Sequence, residues 1–249
     1  MNKKIALVTG ASQGVGRTIA IHLAKKNYFI VLLARNQDKL KTVHETILQQ
    51  GGSCTYYSAD VADAEQVKSC VRNIIETHGK IDLLFNNAGI LKHGTSTLAD
   101  SEIDELLKIN LNGAIYVAKY VAEQMKAQKN GYIINLSSLG GKVAASFAGI
   151  YAASKFGLTG FSEALAKEMS LYHVKVTNIC PHVITTEMTA GRTFKPEDMI
   201  EQADIEKTID YLLSLSKNAI PLELVIHCMP FIEKMVHSTY QVYGLKKDG

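Results

Sequence analysis

The sequence predicts an α/β protein, a doubly wound parallel sheet of about seven strands with helices on both faces, as one domain over residues 1–249. Three observations predict it. Short aliphatic runs alternate with longer segments of helical periodicity along most of the chain. Several of the short runs are apolar at successive positions, the pattern of strands buried on both faces. Finally, 47% of the 249 residues are hydrophobic, enough to cover a sheet twice, while only 4 prolines and no composition shift or repeat mark a linker.

The elements follow in order. Ile5–Thr9 reads as the first strand, and Gly14–Lys26 as the helix entered through a glycine-rich turn. Phe29–Ala34 is an unbroken apolar strand, followed by the helix Gln37–Gln50. Cys54–Ser58 with Ala64–His78, and Leu83–Asn86 with Ser101–Gln128, repeat the unit; the last segment reads as one long helix. Tyr132–Leu136 precedes the helix Tyr151–Tyr172, and Lys175–Ile179 precedes Ala203–Leu215. Leu224–Met229 is the final strand, with a mixed, basic end after it. Strands alternating with helices imply right-handed crossovers. Ligands in such sheets bind beyond the carboxyl ends of the strands, where the strand order reverses, so the chemistry is expected just after strands.

Composition excludes several function classes. The net charge is +3, with 27 basic and 24 acidic residues spread evenly, so no basic stripe points to nucleic acid. Cys54, Cys70, Cys180 and Cys228 stand far apart without ligand-like spacing to histidine; buried thiols are expected, and no metal site. Met1-Asn2-Lys3-Lys4 is followed only by the apolar run Ile5 to Val8, far short of the ~7–15 residues of a signal sequence's apolar core. No apolar stretch approaches the ~20 residues of a membrane span. A soluble protein of the reducing cytoplasm is the expectation.

The first strand runs into Thr9-Gly10-Ala11-Ser12-Gln13-Gly14-Val15-Gly16 and then a helix. Glycines there allow a tight turn and close approach to a pyrophosphate, which the helix N-terminus binds through its N–H groups and dipole. Downstream, Tyr151 and Lys155 lie four apart on one helical face. A free tyrosine has a pKa near ~10 and is a poor base at neutral pH; a neighbouring ammonium favours the phenolate. Ser138 leaves the fifth strand at the ligand-binding edge, with Ser137 the competing residue.

The TGxxxGxG spacing is similar to that of the short-chain dehydrogenase/reductase family, a Rossmann-like fold, in its classical type. Further matches follow in order: Asp60-Val61, Asn86-Asn87-Ala88-Gly89, Asn110, Ser138, Tyr151-Ala152-Ala153-Ser154-Lys155 and Pro181, so the resemblance covers about residues 3–230. It implies an oxidoreductase passing a hydride between nicotinamide and a carbonyl or alcohol. Tyr151 would act as acid and base, and Ser138 would hold the substrate oxygen. Lys155 would bind the nicotinamide ribose, and Asn110 would organise a water relay from Lys155 or satisfy an irregular helix. The turn residues Gly10, Ser12, Gln13, Gly14, Val15 and Gly16 would bind the pyrophosphate side. Asp60 and Val61 would meet adenine; Asn87, Ala88 and Gly89 would line the ribose and floor; Asn86 either lines the site or ties strands together. Pro181, Val183, Ile184 and Thr186 would meet the nicotinamide.

The second strand bears on the cofactor. A carboxylate at its end would accept from the ribose 2′-OH of NAD; Ala34 stands there, followed by Arg35, which favours NADP(H), with Asn36 and Lys39 as helpers. His182 stands where the family usually has Gly and is expected to point outward. Glu187 to about Ile200 is the expected substrate lid, where Arg192 and Lys195 either recognise an anion or are simply solvated, as His93 either lines the site or does not. The tail resembles bacterial 3-hydroxy acid (serine-type) dehydrogenases and sepiapterin reductase-like enzymes. A homodimer or homotetramer is implied, through the helices bearing Asn110 and Tyr151 and through the last strand. The substrates in view are a 3-oxoacyl thioester, a 3-hydroxy acid and a small ketone or aldehyde. The competing function is a catalytically inactive NADP(H)-binding sensor or scaffold.

Overall fold

Burial on both faces shapes every central strand. In the computed structural model, which describes residues 3–189 and 195–243, β1 (Ile5–Thr9) is buried at all five positions. Ala6 and Val8 pack into one core, and Ile5 and Leu7 into the other. That alternation repeats in β2 (Phe29–Ala34), where Ile30 and Leu32 oppose Val31 and Leu33.

The sheet has seven strands in the order β3-β2-β1-β4-β5-β6-β7, every pair parallel. The remaining strands are β3 (Ser53–Ser58), β4 (Leu83–Asn86), β5 (Gly131–Leu136), β6 (Val174–Pro181) and β7 (Glu223–Ile226). Helices α1 (Gly14–Lys25), α2 (Gln37–Gln49) and α7 (Gln202–Ser214) cover the first face through Ile19, Leu23, Leu40, Ile47, Ile205 and Ile209. Helices α3 (Ala64–His78), α5 (Ala114–Gln128) and α6 (Gly149–Ser170) cover the second through Val67, Ile74, Val117, Val121, Leu165 and Met169. The chain winds outward from β1 to β3 and returns to place β4 on β1's other side, so the order reverses between β1 and β4. This is the crevice in which such sheets bind ligands.

Three expectations are corrected. The long helix expected over Ser101–Gln128 is α4 (Asp100–Leu107), a π-helical turn (Lys108–Gly113) and then α5. Asn110, inside that turn, spends its amide on the Ile90 backbone, a tertiary contact that periodicity does not reveal. The last strand stops at Ile226, not Met229, because β6 offers partners only as far as Pro181. The end is an eighth helix, α8 (Met229–Tyr243); Pro230 sits in its first turn, where a missing N–H costs nothing.

Of the expected lid, Ile184 and Ile200 form a parallel bridge at its base, and Pro196–Asp198 form a 3₁₀ turn. Arg192 lies outside the described residues. Among those described, no helix is long and apolar enough to cross a membrane.

Candidate active site

The turn after β1 is locked to the end of β4. Gly10 has φ +63°, and a Cβ there would fall 2.7 Å from the Asn87 amide nitrogen and 2.9 Å from the Ala88 Cα. A Cβ on Gly16 would fall 2.3 Å from the Gly10 carbonyl oxygen. The Thr9 hydroxyl accepts from the N–H groups of Asn87 (2.9 Å) and Ala88 (3.0 Å), and Asn87 Nδ2 donates to the Thr9 carbonyl (2.9 Å). Asn86 is buried behind this junction, donating to Ala114 O and Asn135 Oδ1 and accepting from Thr9. Of its two expected roles, it fills the structural one.

Helix α1 begins with no side-chain cap and no acidic residue in its first turn. Its first N–H groups are therefore left for a ligand, at the end where the helix dipole favours an anion. They open on a cavity of about 840 Å³, within the usual range for a cofactor site. Ser12, Gln13, Gly14 and Val15 line it. Gly10, Asn87, Ala88 and Gly89 line it too, whereas Gly16 serves packing.

At the β2 end, Ala34, Arg35, Asn36 and Lys39 line the same cavity. Asn36 caps α2 by accepting from the Lys39 N–H, which brings the Lys39 ammonium to Gln13 Oε1 at 2.7 Å. Arg35 stands 3.9 Å from Asp60, whose other carboxylate oxygen accepts from Ala62 N–H. Asp60 and Val61 line the wall beyond. Two cations, and no carboxylate at the end of β2, fit a phosphorylated ribose.

Ser138, Tyr151 and Lys155 meet across the cavity from α1. A Cβ on Gly140 would touch both the Tyr151 ring (3.1 Å) and Ser138 Oγ (3.5 Å), which shows how closely the two hydroxyl-bearing residues approach. Ser138 Oγ accepts from Gly140 N–H, while Ser137 is turned inward onto Lys155 O and Thr159. Lys155 Nζ lies 5.8 Å from the Tyr151 ring centre and donates to Leu136 O at 3.0 Å. Burial pushes its ammonium down to about 8, against a smaller upward pull from the Cys180 thiol. Asn110 does not line the cavity. Its Oδ1 accepts from Ile90 N–H, and Nδ2 donates to Ile90 O and to Ser154 Oγ (3.3 Å), so it supports the floor from behind.

At the end of β6 and just beyond it, Pro181, Val183, Ile184 and Thr186 line the cavity. His182 does not point outward. It lines the cavity, packed edge-on against Phe231 (ring centres 4.5 Å, 77°) and 5.6 Å from His227. His227, Phe231 and Met235 also line it and were not anticipated. They come from the β7–α8 connection and α8, and the apolar i, i+4 spacing of Phe231 and Met235 was the available signal. Lys195 is exposed beside Glu197, and His93 packs on Phe147 without lining the cavity. Among the described residues, no cluster suits a metal ion.

Comparison with known proteins agrees with this geometry. The short chain dehydrogenase family model matches residues 4–197. A 3-oxoacyl-[acyl-carrier-protein] reductase of Staphylococcus aureus is 33% identical over 223 residues, covering 85% of this chain and 91% of that protein. The crystal structure of a betaketoacyl-[ACP] reductase from Bacteroides thetaiotaomicron superposes with TM-score 0.83 at 33% identity, covering 94% of this chain and all of the other. A metagenomic short-chain oxidoreductase in complex with NADP superposes with TM-score 0.80 at 30% identity, over 90% and 96% of the two chains.

Proposed function

The chain belongs to the short-chain dehydrogenase family, and from that premise we propose that it is an NADP(H)-dependent reductase of carbonyl compounds, with Tyr151 as acid and base. The observation that carries the reading is the convergence of Ser138, Tyr151 and Lys155 on the cavity into which the uncapped α1 opens. When bound, the nicotinamide supplies or takes up the hydride. Ser138 Oγ holds the substrate oxygen and stabilises the charge that develops on it. Tyr151 gives its phenolic proton to that oxygen in reduction and removes it in oxidation. The Lys155 ammonium favours the phenolate and holds the ribose side of the cofactor. Asn110 is a positioning residue, fixing the floor through Ile90.

The choice of NADP(H) is supported by Arg35 and Lys39 beside Ala34, and by the NADP in the related metagenomic structure. Among substrates, a 3-oxoacyl compound is favoured over a 3-hydroxy acid by the named activity of the Staphylococcus aureus relative. Four free, buried cysteines support a reducing compartment such as the cytoplasm. Self-association through the α5 and α6 surfaces belongs to the same proposal; Phe156 on α6, 46% exposed, supports it.

The test is Tyr151→Phe. Ketone reduction with NADPH is expected to fall at least ~100-fold, the lower end of what a positioned proton donor contributes, while the dissociation constant of NADPH, read by fluorescence titration, stays within about threefold (~0.7 kcal/mol). Retained turnover would remove the tyrosine from the chemistry. Loss of NADPH binding by the unaltered protein would favour neither the reductase nor a cofactor-binding scaffold.

A further inference from the structure

His182 stands on the cavity wall with one ring nitrogen sealed away from solvent. Nδ1 is buried and has no hydrogen-bond partner among the described residues, whereas Nε2, also unbonded among them, is not sealed. A buried N–H without a partner is rarer in folded proteins than an under-used acceptor, so the proton of the neutral ring belongs on Nε2. The ring is held in place. Its backbone N–H donates to Ile226 O at 2.8 Å, Phe231 packs against it edge-on, and His227 lies 5.6 Å away. Burial, and secondarily the neighbouring His227, hold the His182 imidazolium below the ordinary histidine range. Near pH 7 the side chain is thus an uncharged N–H donor, which matches an uncharged oxygen and brings no charge to offset the desolvation of a carboxylate.

Exposed apolar side chains line the same cavity. Val143 is 66% exposed, Phe147 57% and Met235 68%, and Met188 completes the rim. A ligand covering them removes apolar surface from water. We infer that His182 is a specificity-determining residue, donating from Nε2 to a second, uncharged oxygen on a carbonyl substrate whose body is otherwise apolar, as in a 3-oxoacyl ester or thioester. The inference rests on the reductase reading above. It adds a contact to the reaction proposed for Ser138, Tyr151 and Lys155.

The test compares kcat/KM for NADPH-dependent reduction of ethyl acetoacetate, which carries the second neutral oxygen, with that for 2-hexanone, which lacks it. In the unaltered enzyme the oxoester is expected to be preferred. His182→Leu is expected to lower the preference ratio about tenfold, the upper range for one neutral hydrogen bond, and His182→Gln, which keeps an N–H donor, to restore most of it. An unchanged ratio in His182→Leu would overturn the inference. So would acetoacetate, with its free carboxylate, outcompeting the oxoester. Contact is read independently of turnover by nitrogen-15 NMR of Tyr151→Phe loaded with NADP⁺, where ethyl acetoacetate should shift the His182 Nε2 resonance. A still resonance overturns the contact alone, whereas a shifted resonance with no turnover in the unaltered enzyme overturns the reductase reading alone.

Discussion

Arg35 is more than half exposed and stands 3.9 Å from Asp60, too far for a tight ion pair, so its guanidinium is available to a ligand. Charge-assisted hydrogen bonds to a phosphate contribute about 1.5–3 kcal/mol. Arg35→Ala is therefore expected to weaken NADPH about 10- to 100-fold while moving NADH by no more than about twofold. Isothermal titration of both cofactors checks this, and an equal loss for both would place the arginine outside the 2′-phosphate site. Lys155 presents the opposite situation, a cation held out of water. Its folded pKa of about 8 lies below the ordinary 10.5, so between those values the folded state binds fewer protons than the unfolded chain. Stability from this group accordingly rises as pH climbs from 8 to 10.5, and below pH 8 the burial costs about 3 kcal/mol. Lys155→Met removes that cost and leaves Leu136 O unpaired, a loss of about 1–2 kcal/mol. Urea unfolding at pH 7 should show a net gain of about 1–2 kcal/mol alongside abolished turnover; a lower midpoint would contradict the assigned burial cost. Arg35 was legible in the sequence because it follows directly on a strand end, and Lys155 because it lies four residues after Tyr151 on one helical face. His182 was not, since the ring's direction depends on Phe231 and His227, 49 and 45 positions further along the chain.

Among elements, the π-helical turn separating α4 from α5 joins fold to site. Asn110 satisfies both backbone groups of Ile90, at 2.8 Å each, and Ile90 belongs to the loop that forms the cavity floor. Asn110→Ala takes this partner from a part-buried donor and a part-buried acceptor, each costing up to about 1–3 kcal/mol. Unfolding free energy is expected to fall by about 2–4 kcal/mol, with weaker NADPH binding as the floor loosens. Asn110→Asp, which still accepts from Ile90 N–H, should fall between the two; an alanine variant as stable as the parent would show that the amide is not what holds the loop. The strands and most helices could be read directly because continuous apolar runs and 3.6-residue periodicity record burial. The π turn escaped that reading, since one extra residue per turn is imposed by a contact 20 positions away. Helix α8 escaped for another reason. Its apolar residues are divided between the cavity, through Phe231 and Met235, and an exposed side with Val236 and Val242, so no single core-facing stripe stands out.

Across the whole molecule, the cavity gathers groups from distant parts of the chain: the β1 turn, the ends of β2 and β4, the α6 face bearing Tyr151 and Lys155, the segment after β6, and α8. The segment after β6 is itself fastened to α1, because Gln202 bonds both Thr18 and Thr185 O, and Arg17 pairs with Glu187 at 3.5 Å. A ligand filling this space therefore bridges both halves of the sheet and is bound only when they are folded together. At a hundred times its dissociation constant, such a ligand stabilises the folded state by about 2.7 kcal/mol, which for a chain of this size raises the unfolding temperature by about 5–10 °C. NADPH is expected to produce that shift in a single cooperative transition, and NADH at the same concentration a clearly smaller one, because Arg35 and Lys39 have no phosphate to meet. Differential scanning calorimetry with each cofactor decides the matter. Equal shifts would remove the preference assigned to the β2 end while keeping the dinucleotide site. A shift confined to one of two separable transitions would mean that the cofactor engages one half of the sheet and not the bridge between them.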